Sequence, residues 1–151
     1  MVFYRKYRPQ KIDDLDNASL RETLLSVLKK SETHAFLFTG PKGLGKTSTA
    51  RIIAKVVNCT EKKKDAIEPC NTCDQCVSIT GGTNLDVLEI DAASNRGIDE
   101  IRELKEKIRL SPVRASKKVY IIDEVHMLTT EAFNALLKTL EEPPDHALFI
   151  L

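Results

Sequence analysis

One octapeptide constrains this chain more than anything else in it. Gly40-Pro41-Lys42-Gly43-Leu44-Gly45-Lys46-Thr47 has the pattern G-x-x-x-x-G-K-T. Its glycines allow positive φ and let the main chain approach an anion with no Cβ in the way. The amides of such a loop, and the N-terminus of the helix that follows, then face a phosphate. Lys46 supplies a mobile ammonium for β- and γ-phosphates, and the Thr47 hydroxyl a ligand for Mg²⁺. The pattern gains weight between a strand and a helix, and both are expected here. Ala35-Phe36-Leu37-Phe38-Thr39 has the length and aromatic content of a buried strand. Ile52, Ile53, Val56 and Val57 form the apolar face of a helix over 46–58.

The rest of the chain repeats this alternation. Before the loop, Leu20, Leu24, Leu25 and Leu28 share a helical face, with Ser19 and Glu22 at capping-box spacing. After it, residues 59–84 break the pattern. Leu85-Asp86-Val87-Leu88-Glu89-Ile90 reads as a second strand, 98–110 as a helix stopped by Pro112, and Val119-Tyr120-Ile121-Ile122 as a third strand. A helix over 130–142 presents Phe133, Leu136, Leu137 and Leu140 to the core, and Ala147-Leu148-Phe149-Ile150-Leu151 is a last strand. Strands alternating with helices imply an α/β fold with a parallel sheet and helices on its faces.

Two further groups carry chemistry. The third strand delivers Asp123 and Glu124 at its C-terminal end, where ligands of open α/β sheets sit. Downstream of a phosphate loop, Asp123 would hold Mg²⁺ and Glu124 would orient and deprotonate a water, which points to ATP or GTP hydrolysis. Cys59, Cys70, Cys73 and Cys76 are all the cysteines of the chain. Four thiolates, three at C-x2-C-x2-C spacing, suit a closed structural zinc shell. An iron–sulfur cluster is the second reading, although the bacterial run places a fourth cysteine three residues on, before a proline, and neither is present. Unmetallated thiols are the third. Asn71-Thr72 and Asp74-Gln75 between the ligands are turn formers. Ser94, Asn95 and Arg96 open the 98–110 helix and read either as a grip on a phosphodiester or as a capped turn. Lys62-Lys63-Lys64 is a solvated loop, and His34, His126 and His146 lack ligand spacing.

Composition excludes other classes. Of the 151 residues 42% are hydrophobic, too many for a disordered tail. Lys and Arg number 23 against 22 Asp and Glu, so no global basic field announces a nucleic acid. The longest apolar runs are a few residues, and the first residues lack a signal peptide's apolar core. The cytoplasm is the expected compartment, with no membrane partner.

In order along the chain, Tyr7-Arg8-Pro9, residues 40–48, the four cysteines and Glu89-Ile90-Asp91-Ala92-Ala93-Ser94 form one series. Ile122-Asp123-Glu124-Val125-His126-Met127-Leu128 and Ala135-Leu136-Leu137-Lys138-Thr139-Leu140-Glu141-Glu142-Pro143-Pro144 complete it. The series resembles the bacterial DNA polymerase III gamma/tau family, the AAA+ motors of the sliding-clamp loader, over nearly all of the chain. The resemblance implies a P-loop NTPase sheet flanked by helices, an ATPase domain over 1–151 with a zinc module at 59–76, and a cut before the lid domain. It implies ATP on Gly40, Pro41, Lys42, Gly43, Leu44, Gly45, Lys46, Thr47 and Ser48, with Tyr7, Arg8 and Pro9 near the adenine. Thr47 and Asp123 would take Mg²⁺, Glu124 and Lys46 would be catalytic, and Cys59, Cys70, Cys73 and Cys76 would take Zn²⁺. Ser94, Asn95 and Arg96 would face primer-template DNA. The implied partners are delta, delta-prime, further gamma/tau copies and the sliding clamp. Leu15-Asp16-Asn17-Ala18 stands where the family usually has a Val-Gly-Gln-type box. The alternatives are a non-catalytic scaffold subunit like delta-prime, whose phosphate loop is generally degenerate, and a small-molecule kinase. A chain ending at Leu151 would be weakly active or inactive alone, because the arginine finger lies beyond it.

Overall fold

The computed structural model describes residues 3–151, so Met1 and Val2 lie outside the description. The chain forms two compact units, one comprising the chain up to Thr33 with residues 39–83, the other residues 34–38 with 84–151.

The first unit is helical. It contains α1 (Phe3–Lys6), a 3-10 turn at Ile12–Asp14, α2 (Ala18–Lys30), α3 (Lys46–Asn58) and α4 (Asp74–Gly81). Helix α3 has the bounds that its apolar spacing predicts, and Ile52, Ile53, Ala54 and Val56 are all buried. Three corrections follow. Helix α2 is capped by Asn17, whose Oδ1 accepts from Leu20 N at 3.0 Å, rather than by Ser19. Helices α1 and α4 lie in stretches with no helical periodicity in the sequence. Asp74 and Gln75 are the first turn of α4 rather than turn residues between ligands, and Cys73 is its N-cap. Gly82 ends α4 at φ 71°, in the left-handed region where glycine has no Cβ penalty.

The second unit is a parallel sheet of β1 (Ala35–Phe36), β2 (Val87–Asp91), β3 (Lys118–Asp123) and β4 (Ala147–Ile150), in the order β1-β4-β3-β2. Helices α5 (Ile98–Arg109) and α6 (Thr130–Glu141) belong to the same unit. Alternation along a strand puts Tyr120 and Ile122 on one face with Ala147 and Phe149, and these pack with Ile101, Leu104 and Ile108 of α5 and Ala132 and Leu136 of α6. Tyr120 pairs with Phe149 across the ladder, and their rings stack at 5.6 Å. Val119 and Ile121 are buried as well, so β3 reads as the continuous apolar run of a central parallel strand.

Here too the sequence expectations need correction. The run Ala35 to Thr39 is not a buried strand: β1 has two residues at the sheet edge, and Leu37 is 67% exposed. An edge strand has one neighbour to pair with, and that pairing ends where Phe38 N donates to Leu151 O at 2.9 Å. Phe133 and Leu137 of α6 sit at the exposed margin of their helix, with Leu136 and Ala132 carrying its core face. The second strand starts at Val87, because Asp86 does something else. Its buried carboxylate accepts from Val113 N, Arg114 N and Ala115 N at 2.7–2.8 Å and ties down the turn that leads into β3.

Candidate nucleotide and metal sites

The glycine loop of the first unit has the backbone its sequence demands. Gly40, Gly43 and Gly45 have φ of 148°, 90° and 81°. At Gly40 the φ of 148° disfavours any side chain, and a Cβ there would also push aside the exposed Leu44 Cδ1, 2.8 Å away. Gly45 is the N-cap of α3, leaving the first amides of that helix without a side-chain cap. The Lys46 ammonium lies on the loop itself, donating to Gly40 O at 2.6 Å and Pro41 O at 2.9 Å. Pro41, Lys42 and Leu44 are exposed, while Thr47 and Ser48 are half-buried. This is the donor set a phosphate chain needs: main-chain amides, a helix N-terminus and a nearby cation.

The four cysteines converge. Their Sγ atoms lie within 4.8 Å of one another, with Cys70 to Cys76 at 3.9 Å and Cys59 to Cys73 at 4.0 Å. Four sulfurs at 2.3 Å from one tetrahedral zinc would be about 3.8 Å apart, so the set fits that ion. Main-chain donors already point at the sulfurs: Cys70 N to Cys59, and Thr72 N and Cys73 N to Cys70. The Thr72 hydroxyl and the neighbouring N–H groups hold the Cys70 thiol below its usual range. Burial opposes ionisation of Cys73, but donors from Cys76 and Thr60 outweigh it and bring that thiol down to about 6. Burial pushes Cys59 and Cys76 upward. Its buried core consists of Cys59, Cys73 and Cys76 with Cys70 packed against them, and no aliphatic side chain joins it among the described residues.

Polar ties attach this cluster to the start of the chain. Lys55 of α3 is 1% exposed, and its ammonium donates to Gln10 O at 3.0 Å, Gln10 Oε1 at 2.7 Å and Asn71 Oδ1 at 2.7 Å. Burial lowers its pKa, and the charges of Cys76, Asp14 and Glu68 act in the opposite sense. The Glu68 carboxylate accepts from Ile12 N at 2.8 Å and Asp13 N at 2.9 Å. A cavity of about 480 Å³ in this unit is lined by residues that include Arg8, Pro9, Ser48 and Arg51. Tyr7 is exposed and stacks on Phe3. Nothing in the sequence marks Lys55 or Glu68, since a buried lysine and a surface lysine look alike there.

In the second unit β2 and β3 end side by side at Asp91 and Asp123. Asp123 Oδ1 accepts from Glu124 N at 3.0 Å. Glu124 sits in the left-handed region at φ 55°, a conformation that costs a non-glycine residue about 1–3 kcal/mol and clusters at functional sites. Its carboxylate is 3.2 Å from His126 Nε2. Ser94, Asn95 and Arg96 are engaged with the protein's own atoms. Ser94 Oγ donates to Asp91 Oδ2, Asn95 Nδ2 to Asp91 O and Arg96 Nε to Met127 O. These bonds hold together the turn between β2 and α5.

Residues 17–151 match the family described as DNA polymerase III, delta subunit. The chain is 55% identical over 152 residues to the DNA polymerase III subunit tau of Bacillus subtilis (strain 168), covering 99% of this chain and 27% of that one. It is 44% identical over 155 residues to subunit tau of Escherichia coli (strain K12), covering 99% and 23%. The crystal structure of a DNA polymerase III, gamma subunit-related protein from Thermotoga maritima superposes with a TM-score of 0.60 at 30% identity, over 86% of this chain and 38% of that one. The chain thus spans about a quarter of the length of these curated relatives. The parallel sheet with its helices matches the P-loop AAA+ clamp-loader fold. On the glycine loop, the strand order and this similarity, the chain belongs to the DNA polymerase III, delta subunit family, as a domain of gamma/tau type.

Proposed function

We propose that this chain is the ATP-binding and hydrolysing core of a clamp-loader subunit of DNA polymerase III, serving to load the sliding clamp onto primed DNA in the cytoplasm. The observation that carries the reading is the loop of residues 40–47, with three glycines at positive φ and Lys46 folded over it. The amides of residues 40–48 bind the phosphates, Lys46 moves from the loop carbonyls to the β- and γ-oxygens, and Arg8 and Pro9 flank the base, with Tyr7 nearby. Thr47 and Asp123 hold magnesium, which when bound neutralises charge on the phosphate oxygens. Glu124 orients a water and accepts its proton. Cys59, Cys70, Cys73 and Cys76 hold a structural zinc, which organises a module over residues 59–76.

In the assembled holoenzyme this domain works beside delta, delta-prime and further gamma/tau copies, the clamp and primer-template DNA. Ser94, Asn95 and Arg96 are the residues that face the DNA. Among the described residues no helix is long and apolar enough to cross a membrane. The test uses the full-length protein in a reconstituted loader. Lys46→Ala abolishes nucleotide binding, whereas Glu124→Gln keeps binding and lowers turnover by about 10²–10⁴-fold. Clamp loading that survives both changes overturns the catalytic reading and leaves a scaffold.

A further inference from the structure

We propose that Lys55 is a positioning residue that links the four-cysteine cluster to a nucleoside-binding cavity, so that a filled cluster raises the affinity for the base and ribose of the bound nucleotide. This rests on the reading of residues 40–48 as the phosphate cradle. Three segments line the cavity: residues 8–10, the part of α3 that includes Ser48, Arg51 and Lys55, and residues 80–82. At about 480 Å³ it is of small-molecule size. Its lining holds the guanidinium groups of Arg8 and Arg51, no carboxylate, and apolar surface from Pro9 and Ile52. Ser48 directly follows Thr47 of the loop. That chemistry suits the nucleoside end of an anion whose phosphates lie on the loop.

Two of the three lining segments are held through the cysteine cluster. Residues 80–82 end α4, the helix that Cys73 precedes as N-cap and that carries Cys76. Residues 8–10 are held by Lys55, whose three donors are spent on both oxygens of Gln10 and on Asn71 Oδ1. Asn71 lies between Cys70 and Cys73, at φ 62°. Thr80 Oγ1 also reaches Gln10 Oε1, at 3.4 Å, joining the two segments to each other. An ammonium buried this deeply is tolerable only with its acceptors in place. The Asn71 acceptor stays in place only while the turn between the cysteines is formed. Four thiolates around a divalent ion also carry net negative charge, which favours the ammonium form of Lys55 beside them.

The experiment compares the zinc-loaded full-length protein with Asn71→Gly and Lys55→Met, reading zinc per chain and calorimetric affinities for magnesium ATP and magnesium inorganic triphosphate. Asn71→Gly keeps the left-handed backbone and removes only the acceptor. We expect zinc to be retained, triphosphate affinity to stay within about twofold, and ATP affinity to fall about tenfold, as for one lost charged hydrogen bond. Lys55→Met should lose more, and chelation of the wild type should reproduce the ATP effect. Unchanged ATP affinity in Asn71→Gly or in the chelated protein overturns the proposal, as does an equal loss for ATP and triphosphate. If Lys55→Met does not fold, Asn71→Gly decides. A wild type that binds ATP but no zinc overturns this inference alone. One that binds neither ATP nor triphosphate overturns the phosphate-cradle reading, and this inference with it.

Discussion

The cysteine region of the first unit and the core of the second are built on different physics. The second unit buries aliphatic and aromatic side chains in a continuous cluster, from Ile101 and Leu136 on the helices to Tyr120 and Phe149 on the sheet. The cysteine region of the first unit has a core of sulfurs, secured by a buried lysine and by a carboxylate on two main-chain amides. Dispersion and hydrophobic burial are sums over many small contacts, so an apolar core loses stability by degrees. A cluster of four ligands closes around one ion or not at all. The first kind of region suits a frame, and the second a part whose order depends on a bound ligand.

The strongest way to break this contrast is chelation. If the cysteines hold zinc, a structural site of this type carries about 10–16 kcal/mol of apparent binding energy, all of it available to folding. Chelation, or Cys73→Ser, should therefore abolish amide-exchange protection across residues 59–82 while β3 and β4 remain protected. Equal protection with and without the ion would show that the cysteine region is an ordinary core. Next in size is Phe149→Ala in the other unit, expected to cost about 3–5 kcal/mol in denaturant unfolding with zinc content unchanged. A loss of zinc in that variant would merge the two regions into one cooperative block.

Smaller effects sharpen the contrast within the sheet unit. Asp86→Asn weakens three charge-assisted bonds at once and should cost about 2–3 kcal/mol. Burial works against the charged form of Asp86, yet the amides of Val113, Arg114 and Ala115 and the nearby Lys118 prevail and lower its pKa from 3.8. Its stabilisation is therefore fully present above about pH 4 and fades as pH falls through the lower folded value, a dependence that Asp86→Asn should remove from an acid titration. The smallest change has the opposite sign. The Tyr120 hydroxyl is buried with no hydrogen-bond partner among the described residues, and burial pushes its pKa up to about 12. Tyr120→Phe should leave stability unchanged or raise it by about 1 kcal/mol, because no bond is lost and a desolvated polar atom goes. A clear destabilisation would reveal a partner for that oxygen.

Some of this was legible in the sequence and some was not. Helix α3 could be bounded at Lys46 and Asn58 because a glycine loop precedes it and its apolar spacing is helical throughout. The central strand β3 was legible because an unbroken apolar run has little alternative to burial on both faces. Helix α4 was hidden, since its residues read as metal-site turn formers and its face is defined by Cys76 and Ile79 rather than by a leucine stripe. Strand β1 was overestimated because aromatic content signals strand propensity, whereas strand length is set by how much neighbour there is to pair with.

By itself the sequence determined the phosphate loop, the cysteine set and the alternation of elements, because each rests on residue type at short spacing, which local geometry obeys. Only the tertiary structure decided which polar side chains were buried. Lys55 meets acceptors 45 and 16 residues away, Glu68 meets amides 55 and 56 residues away, and Asp86 meets amides 27–29 residues away. A charge is tolerated inside a protein only where the fold brings partners to it, and those partners are chosen by how the chain packs rather than by what stands beside the residue.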